Sequence, residues 1–250
     1  MTKSYLDSVF SMEGKVCLVT GASRGIGQGI AEALNKAGGI VYGLGRTSAD
    51  TIISDWNYIK CDVTDKKELL SALKNINDDG HRLNVLVNAA GVTSPNSNGD
   101  LTTNFRNTIE TNLVAIYNCC IEVLPYMKLA GGGSIINITS IGSKLGFPGN
   151  PSYGASKGGL RMLTKALAND LGIDNIRVNN LAPGYIKTDM TKISFEDRDM
   201  NKARQERMLL ARWGEVTDLY GAAIFLASDA SSYVTGTDLV VDGGWTAKGL

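Results

Sequence analysis

Three side chains near the middle of the sequence, Ser140, Tyr153 and Lys157, have the types and the spacing that proton transfer requires. Apolar residues recur at intervals of three and four after Tyr153, which predicts a helix over residues 154–171 and places Tyr153 and Lys157 one turn apart on one face. A phenol with an ordinary pKa of about 10 is a weak acid at neutral pH, but a neighbouring ammonium lowers that pKa toward the working range. The spacing therefore indicates an acid–base pair.

Ser140 closes an apolar stretch, residues 134–139, that is predicted to be a strand, and a loop rich in glycine and proline follows it. Such a loop can bring the serine hydroxyl back toward Tyr153, so that two hydroxyls bracket one substrate oxygen. The alternative is that the pair has no chemical role, because tyrosine and lysine four residues apart are common on helices. The sequence upstream favours the chemical interpretation.

Upstream lies a glycine-rich turn between a predicted strand and a predicted helix. Residues 16–20, VCLVT, form a continuous apolar run, as expected of a parallel strand covered on both faces. Gly21, Gly25 and Gly27 follow, and their missing side chains would let a pyrophosphate approach the free amides at the start of the helix. An ordinary strand-to-helix turn is the alternative, which the strand–turn–helix context weakens.

The end of the second predicted strand indicates which dinucleotide would bind. About 20 residues beyond the glycine turn, where an NAD site usually has a carboxylate for the ribose hydroxyls, the sequence has Arg46. Arg46, with Arg24 of the turn, can hold the 2′-phosphate of NADP(H), because a guanidinium binds phosphate oxygens bidentately. The alternative is that both arginines face solvent and bind no phosphate. Asp50 is close enough in the sequence to keep NAD(H) possible as the cofactor.

The remaining chain continues the alternation of strands and helices. Strands are predicted at 40–44, 58–61, 84–88, 134–139, 176–184 and 237–244, and helices at 65–76 with Thr64 as N-cap, at 101–129 and at 217–226. This pattern predicts one α/β domain, residues 15–250, with a doubly wound seven-stranded parallel sheet behind an N-terminal extension, residues 1–14. Ligands are expected at the carboxyl ends of the strands.

Two further features have competing interpretations. Asn112 lies among apolar residues of the predicted helix 101–129, where a buried amide either makes a structural hydrogen bond or anchors a water, and the residue alone favours the structural role.

The charged segment 187–212 has the mixed signs of a solvated helix face, but its place after the sixth strand also suits a lid over substrate.

The amino-acid composition argues against several other classes of protein. Lysine plus arginine and aspartate plus glutamate both number 25, so the net charge is zero and argues against nucleic acid or an anionic membrane as partner. The single histidine, His81, excludes a multi-histidine metal site, and the four cysteines lack Cys-x-x-Cys spacing and are expected to be reduced core residues. Strand-sized apolar runs and the absence of a signal-peptide pattern predict a soluble, cytoplasmic protein.

In combination, these motifs resemble the short-chain dehydrogenases/reductases over residues 15–245. The matching segments are TGASRGIG at 20–27, Asp62-Val63, NAAG at 88–91 and PGYIKT at 183–188, with Asn112, Ser140, Tyr153 and Lys157 in the positions of the catalytic tetrad. The resemblance implies that Tyr153 exchanges a proton with the substrate oxygen, which Ser140 orients. It also implies that Lys157 lowers the tyrosine pKa and binds the nicotinamide ribose, that Asn112 holds a water, and that hydride passes between nicotinamide and a carbonyl carbon.

From the residues and the resemblance together, we expect NADP(H) to be preferred over NAD(H), and no metal to be needed. The expected cofactor contacts are Gly21, Ser23, Arg24, Gly25, Ile26, Gly27, Arg46, Asp62, Val63, Asn88, Ala89, Ala90, Gly91, Tyr153, Lys157, Pro183, Gly184, Ile186 and Thr188. The family commonly forms homotetramers through its long helices, which makes 101–129 and 156–171 candidate interface segments.

The substrate is less defined. Residues 211–245 resemble the members that act on sugar acids and polyols, such as gluconate 5-dehydrogenase and 2-deoxy-D-gluconate 3-dehydrogenase. The 3-oxoacyl-carrier-protein reductases share much of the same frame, although this chain lacks most of the basic residues with which they hold an acidic carrier protein. A dinucleotide-binding sensor without turnover is a third hypothesis, which the intact tetrad opposes.

Overall fold

A seven-stranded parallel sheet forms the centre of the protein, in the order β3-β2-β1-β4-β5-β6-β7. The computed structural model describes residues 5–48, 51, 54–94 and 100–249. The strands are β1 (Val16–Thr20), β2 (Ile40–Gly45), β3 (Asn57–Lys60), β4 (Leu83–Asn88), β5 (Gly133–Ile138), β6 (Ile176–Pro183) and β7 (Asp238–Val241). The predicted doubly wound sheet is confirmed, and its order reverses between β1 and β4, where this architecture places its ligands.

Helices cover both faces of the sheet. They are α1 (Tyr5–Phe10), α2 (Gly25–Lys36), α3 (Lys66–Asp78), α4 (Leu101–Ile109), α5 (Ala115–Glu122), α6 (Leu124–Leu129), α7 (Pro151–Leu171), α8 (Lys192–Glu196), α9 (Arg198–Arg207) and α10 (Tyr220–Ala227). Side chains of α3, α5 and α7 form one apolar core with the sheet, and those of α2 and α10 form a second core on the other face. Because both faces are covered, β1 is buried at every position and is apolar up to its last residue, Thr20.

Several boundaries differ from those the sequence predicts. The predicted helix 101–129 is interrupted by a π-helical turn, Glu110–Val114, between α4 and α5. The N-cap of α3 is Asp65 and not Thr64, because the Asp65 carboxylate accepts hydrogen bonds from two backbone amides of the first turn while the Thr64 hydroxyl bonds to Asp62. Helix α7 begins earlier than expected, so Tyr153 lies inside its first turn.

The cysteines are free and buried, as the core interpretation requires. Burial raises the pKa of the Cys17 and Cys120 thiols to about 12, which makes them poor nucleophiles. In the described part of the chain, no group of three or more histidine, cysteine, aspartate or glutamate side chains could hold a metal ion. None of the helices there is long and apolar enough to cross a membrane.

A chain of buried polar side chains joins four strands and α7 beneath the carboxyl edge of the sheet. Asn88 donates to Asn137 at 2.9 Å, and Asn137 donates to Thr164 at 2.8 Å. Thr164 donates to Asn180 at 2.6 Å, and Asn180 donates to Asp238 at 2.8 Å. Each group in the middle of this network takes its short hydrogen bonds from its neighbours in the network, which therefore fixes the strand ends relative to α7.

Replacing Thr164 with valine keeps the shape of the side chain but leaves the Asn137 amide and the Asn180 carbonyl without their partner. Since an unpaired buried polar group costs about 1–3 kcal/mol, we expect the free energy of unfolding to fall by about 2–4 kcal/mol. Urea unfolding followed by circular dichroism measures this difference. Thr102→Val, on the exposed start of α4, is the matched control and should change stability by less than about 0.5 kcal/mol.

Candidate active site

Ser140, Tyr153 and Lys157 come together where β5 ends and α7 begins. The Ser140 hydroxyl accepts a hydrogen bond from the backbone N–H of Gly142 at 3.0 Å, and it lies close enough to the Tyr153 hydroxyl to act on the pKa of that phenol. The Lys157 Nζ donates to the carbonyl oxygen of Ile138, the last residue of β5, at 2.8 Å and lies 5.8 Å from the centre of the Tyr153 ring. The two hydroxyls and the amine therefore share one pocket wall.

Burial controls the proton affinities of this group. Burial lowers the pKa of Lys157 to about 8. It also raises the pKa of the Tyr153 phenol, against the opposing effect of the Ser140 hydrogen bond. This net direction is opposite to the one expected from the tyrosine–lysine spacing, because burial of the phenol is the largest effect on its pKa. At neutral pH, Tyr153 is thus a protonated phenol beside an ammonium, which is the state of a proton donor.

Asn112 lies in the π-helical turn and is fully buried. Its Oδ1 accepts from the backbone N–H of Val92 at 2.8 Å, and its Nδ2 donates to the Val92 carbonyl at 2.9 Å and to Ser156 Oγ at 3.1 Å. Ser156 donates in turn to the Tyr153 carbonyl at 2.8 Å. The structural hydrogen bonds considered for Asn112 are present, and they join the loop after β4 to the start of α7. The water-holding role stays a prediction.

The glycine turn after β1 has the shape of a phosphate cradle. Gly21 has a φ of +67°, and a Cβ atom there would lie 2.7 Å from the backbone nitrogen of Ala90. A Cβ at Gly27 would lie 2.3 Å from the Gly21 carbonyl oxygen. The N-cap of α2, Arg24, has an extended backbone and no side-chain capping bond, so the first amides of the helix are left for an anion. These residues fit a dinucleotide pyrophosphate.

Thr20 connects this turn to the NAAG segment, a contact that the sequence motifs alone do not reveal. Its hydroxyl oxygen accepts hydrogen bonds from the backbone N–H groups of Ala89 and Ala90, both at 3.1 Å. At the other end of the segment, a Cβ at Gly91 would lie 3.6 Å from Lys157 Nζ. The predicted cofactor turn, the NAAG segment and the tetrad therefore meet at one edge of the sheet.

The residues predicted to bind the adenosine end of the cofactor lie in the glycine turn and after β2. Arg24 and Arg46 are exposed, and no carboxylate of the described residues pairs with either. Ser23 lies against Gly45, where a Cβ would be 3.2 Å from the Ser23 Cβ. Asp50, the residue that left NAD(H) open, is outside the described residues.

The other predicted cofactor contacts flank this edge. The Asp62 carboxylate accepts from the Thr64 backbone N–H at 3.0 Å, which fixes the loop after β3, and Val63 is buried beside it. Pro183, the last residue of β6, and Gly184 after it lead to buried Ile186. Thr188 then returns to the glycine turn, since a Cβ at Gly25 would lie 3.7 Å from its methyl group.

A cluster of aromatic rings forms a wall next to the tetrad that the sequence analysis missed. Tyr185 contacts Phe147, Trp213 and Trp245 with ring centres 6.3, 5.4 and 4.7 Å away. Phe147 lies next to the turn that follows Ser140, because a Cβ at Gly142 would lie 2.9 Å from its ring. These four rings, called the aromatic wall below, are spread over almost 100 residues without periodicity, so no local pattern indicates them.

A groove of about 550 Å³ lies on the outer side of segment 187–212 and is separate from the tetrad. Its charged side chains already pair with one another: Lys187 with Glu215 at 2.5 Å, and Arg212 with Asp218 at 2.7 Å. This internal pairing leaves no unbalanced charge to attract a ligand.

Comparisons with known proteins agree with this geometry. A short-chain dehydrogenase family model, described as enoyl-(acyl carrier protein) reductase, matches residues 21–246. The chain is 37% identical to a 2-dehydro-3-deoxy-D-gluconate 5-dehydrogenase from Pseudoalteromonas atlantica, over 96% of this chain and 98% of the relative. It is also 37% identical to a 3-oxoacyl-(acyl-carrier-protein) reductase from Chlamydia pneumoniae, over 94% and 98%.

A solved structure gives the same result. The crystal structure of a gluconate 5-dehydrogenase from Burkholderia cenocepacia, in complex with NADP and tartrate, superposes with a TM-score of 0.91 at 31% identity, covering 98% of this chain and 100% of that one. A dinucleotide cradle beside a serine–tyrosine–lysine group defines a class of oxidoreductases. The chain belongs to the short-chain dehydrogenase/reductase family.

The depressed pKa of Lys157 predicts a pH dependence of stability. Below about pH 8 the folded chain carries the buried ammonium, whereas between about pH 8 and about pH 10 the folded amine is neutral and the unfolded amine is still protonated. The unfolded state then binds more protons, so stability rises with pH. Relative to Lys157→Met, the wild type should gain about 2 kcal/mol of unfolding free energy between about pH 7 and about pH 9.5.

Denaturant unfolding across this pH range measures the difference between the two proteins. Lys165→Met, at an exposed lysine on the same helix, is the matched control, and its difference from wild type should not depend on pH. A flat difference for Lys157→Met as well would mean that Lys157 keeps its ordinary pKa.

Proposed function

We propose that this chain interconverts a secondary alcohol and a ketone on a small, carbohydrate-derived substrate, a sugar acid or a polyol, with NADP(H) as hydride carrier. The observation that carries the proposal is the juxtaposition of Ser140, Tyr153 and Lys157 with the glycine cradle at one edge of the sheet. The family and its dehydrogenase relatives support the same reaction class.

The mechanism follows from the protonation states of the chain's own groups. In the reducing direction, the Tyr153 hydroxyl gives its proton to the substrate oxygen as negative charge develops there, and the Ser140 hydroxyl donates a hydrogen bond to the same oxygen. Lys157, charged below its pKa of about 8, stabilises the phenolate that remains. Asn112 holds the loop after β4 against α7, and its proposed water would return a proton to the site.

The cofactor supplies or accepts the hydride when it is bound. The residues that would hold its pyrophosphate are those of the cradle, Gly21, Gly25 and Gly27, with the free amides of α2. Arg46 and Arg24 would hold the 2′-phosphate, because both are exposed guanidinium groups that no described carboxylate neutralises. The NADP bound in the Burkholderia cenocepacia relative supports this preference, and NAD(H) remains the alternative.

The named relatives support two substrate classes. The Pseudoalteromonas and Burkholderia proteins are named for sugar acids, and the second holds tartrate, a hydroxy dicarboxylate. The Chlamydia protein is named for a 3-oxoacyl thioester on a carrier protein, and its equal identity of 37% keeps that reaction as the second candidate. We favour the sugar-acid class, because this chain lacks most of the basic residues that hold an acidic carrier.

The surroundings of the site extend the proposal. Segment 187–212 would act as the substrate lid, since Phe195 of α8 and two arginines of α9 contact rings of the aromatic wall. Exposed apolar side chains on α4, α5 and α7, among them Phe105, Tyr117 and Met162, support a homotetramer through the long helices.

A cytoplasmic location fits the neutral net charge of the chain and the small size of the proposed substrate.

Replacing Tyr153 with phenylalanine removes the proton donor and leaves the packing. We expect kcat to fall by about 10²–10⁴-fold or more, with the dissociation constant for NADP(H) within about threefold of wild type. Stopped-flow nicotinamide absorbance and fluorescence titration measure the two quantities. Tyr233→Phe, at a fully exposed tyrosine outside the site and the proposed interface helices, is the control; unchanged turnover in Tyr153→Phe would refute the assignment.

The same assay separates the candidate functions in wild-type enzyme. A panel of keto-sugar acids, polyols and acetoacetyl thioesters, each with both nicotinamides, should give its highest kcat/KM on a sugar acid or polyol. A thioester preference would establish the second candidate. Tight cofactor binding with no absorbance change on any substrate would instead indicate a sensor.

Cofactor preference depends on Arg46. In Arg46→Asp, the new carboxylate repels the 2′-phosphate and can bond to ribose hydroxyls, so the ratio of kcat/KM for NADP(H) over NAD(H) should fall by at least about tenfold. Lys165→Asp makes the same charge change at an exposed position on α7 and should leave the ratio unaltered. If both variants keep the wild-type ratio, Arg46 does not contact the 2′-phosphate.

A further inference from the structure

Arg204, in the last turn of α9, points its guanidinium at the aromatic wall. The guanidinium carbon lies 4.9 Å from the centre of the Tyr185 ring. Tyr185 in turn borders the tetrad, since its ring packs against Phe147 and its phenol acts on the proton affinity of Tyr153. Arg204 thus brings a fixed positive charge from the proposed lid to the wall next to the reacting group.

The hydrogen-bonding capacity of Arg204 is largely unused. Its Nε is buried and has no hydrogen-bond partner, and the bond from Nη1 to the Met200 carbonyl of the same helix is long, at 3.3 Å. No carboxylate of the described residues forms an ion pair with it, whereas Arg212 and Arg161 each have one. Because Arg204 is only half-buried, the outer N–H groups of its guanidinium can form charge-assisted hydrogen bonds to an anionic ligand.

We propose that Arg204 binds the carboxylate of the substrate and thereby selects sugar acids over neutral polyols and thioesters. The proposal rests on the proposed function, which it narrows to one substrate class. A carboxylate offers two oxygens to the planar guanidinium, and Tyr185 beneath it fixes the plane in which they bind. A polyol of the same length has no charge to make this contact.

Arg207 provides an internal comparison. It lies one turn further along α9, over the ring of Trp245 at 5.2 Å, and like Arg204 it is in the last turn, where the helix dipole favours cations. Arg207 is exposed, whereas Arg204 is half-buried and its Nε has no hydrogen-bond partner. The dipole and the ring contact alone therefore explain Arg207, but they leave the buried Nε of Arg204 unexplained.

The test compares Arg204→Gln, Arg204→Lys and the matched control Arg207→Gln with wild type. The readout is the ratio of kcat/KM on D-gluconate to that on D-sorbitol, with NADP+ as oxidant. We expect this ratio to fall about 10–100-fold in Arg204→Gln through the KM for gluconate, to recover in part in Arg204→Lys, and to stay within twofold of wild type in Arg207→Gln. Thermal midpoints and NADP+ affinity establish that each variant is folded.

A binding measurement without turnover separates this inference from the proposed function. Calorimetric titration of the NADP+ complex with tartrate should show affinity at least about tenfold weaker in Arg204→Gln than in wild type or Arg207→Gln. Arg204-dependent tartrate binding in a protein that oxidises nothing would support the carboxylate site and refute the proposed function.

Three results would overturn the inference. The first is equal losses on gluconate and sorbitol in Arg204→Gln, which would mean that Arg204 only packs on Tyr185. The second is a gluconate-to-sorbitol ratio and a tartrate affinity that Arg204→Gln leaves unchanged. The third is a wild-type enzyme that turns over neutral alcohols or thioesters but neither binds nor oxidises carboxylates, in which case the reaction class stands and the substrate class is wrong.

Discussion

The site depends on a buried lysine held by the end of a strand. Lys157 is only 5% exposed, and its ammonium donates to the carbonyl of Ile138 where β5 stops. Burying this charge is unfavourable, as the lowered pKa shows, and the carbonyl offsets part of that cost. The same bond fixes the first turns of α7 against the sheet, and so it also positions Tyr153. One interaction thus sets both the charge next to the phenol and the place of the phenol.

Close backbone approach is the second constraint, and it acts at the point where the strand order reverses. Gly21 and Gly27 leave no room for a Cβ, because the NAAG segment and the turn itself occupy that space. Thr20 then accepts hydrogen bonds from both alanine amides, which joins the ends of β1 and β4. The buried network from Asn88 to Asp238 extends this coupling across β5 and β6. The cradle and the proton donor are therefore parts of one rigid edge.

The sequence predicts features that depend on local spacing and misses those that depend on distant contacts. Apolar runs and glycine stops predict seven strands, and the four-residue step from Tyr153 to Lys157 predicts their proximity. The direction of the Tyr153 pKa was predicted wrongly, because burial depends on the whole fold and outweighs one neighbour. The contact of Arg204 with Tyr185 joins two segments that no sequence motif relates, so this contact can be seen only in the folded structure.

The π-helical turn at Asn112 shows how a local irregularity follows from the core. Thr108, Asn112, Ile116 and Cys120 are spaced by four residues and are all buried. In a regular α-helix, side chains four residues apart drift by about 40° around the axis at each step, and this set would rotate out of the core. A wider π turn absorbs the drift. It keeps Asn112 directed at Val92 and Ser156 while Ile116 and Cys120 stay packed on the sheet. The four-residue spacing of buried side chains is therefore the sequence feature from which this turn could have been predicted.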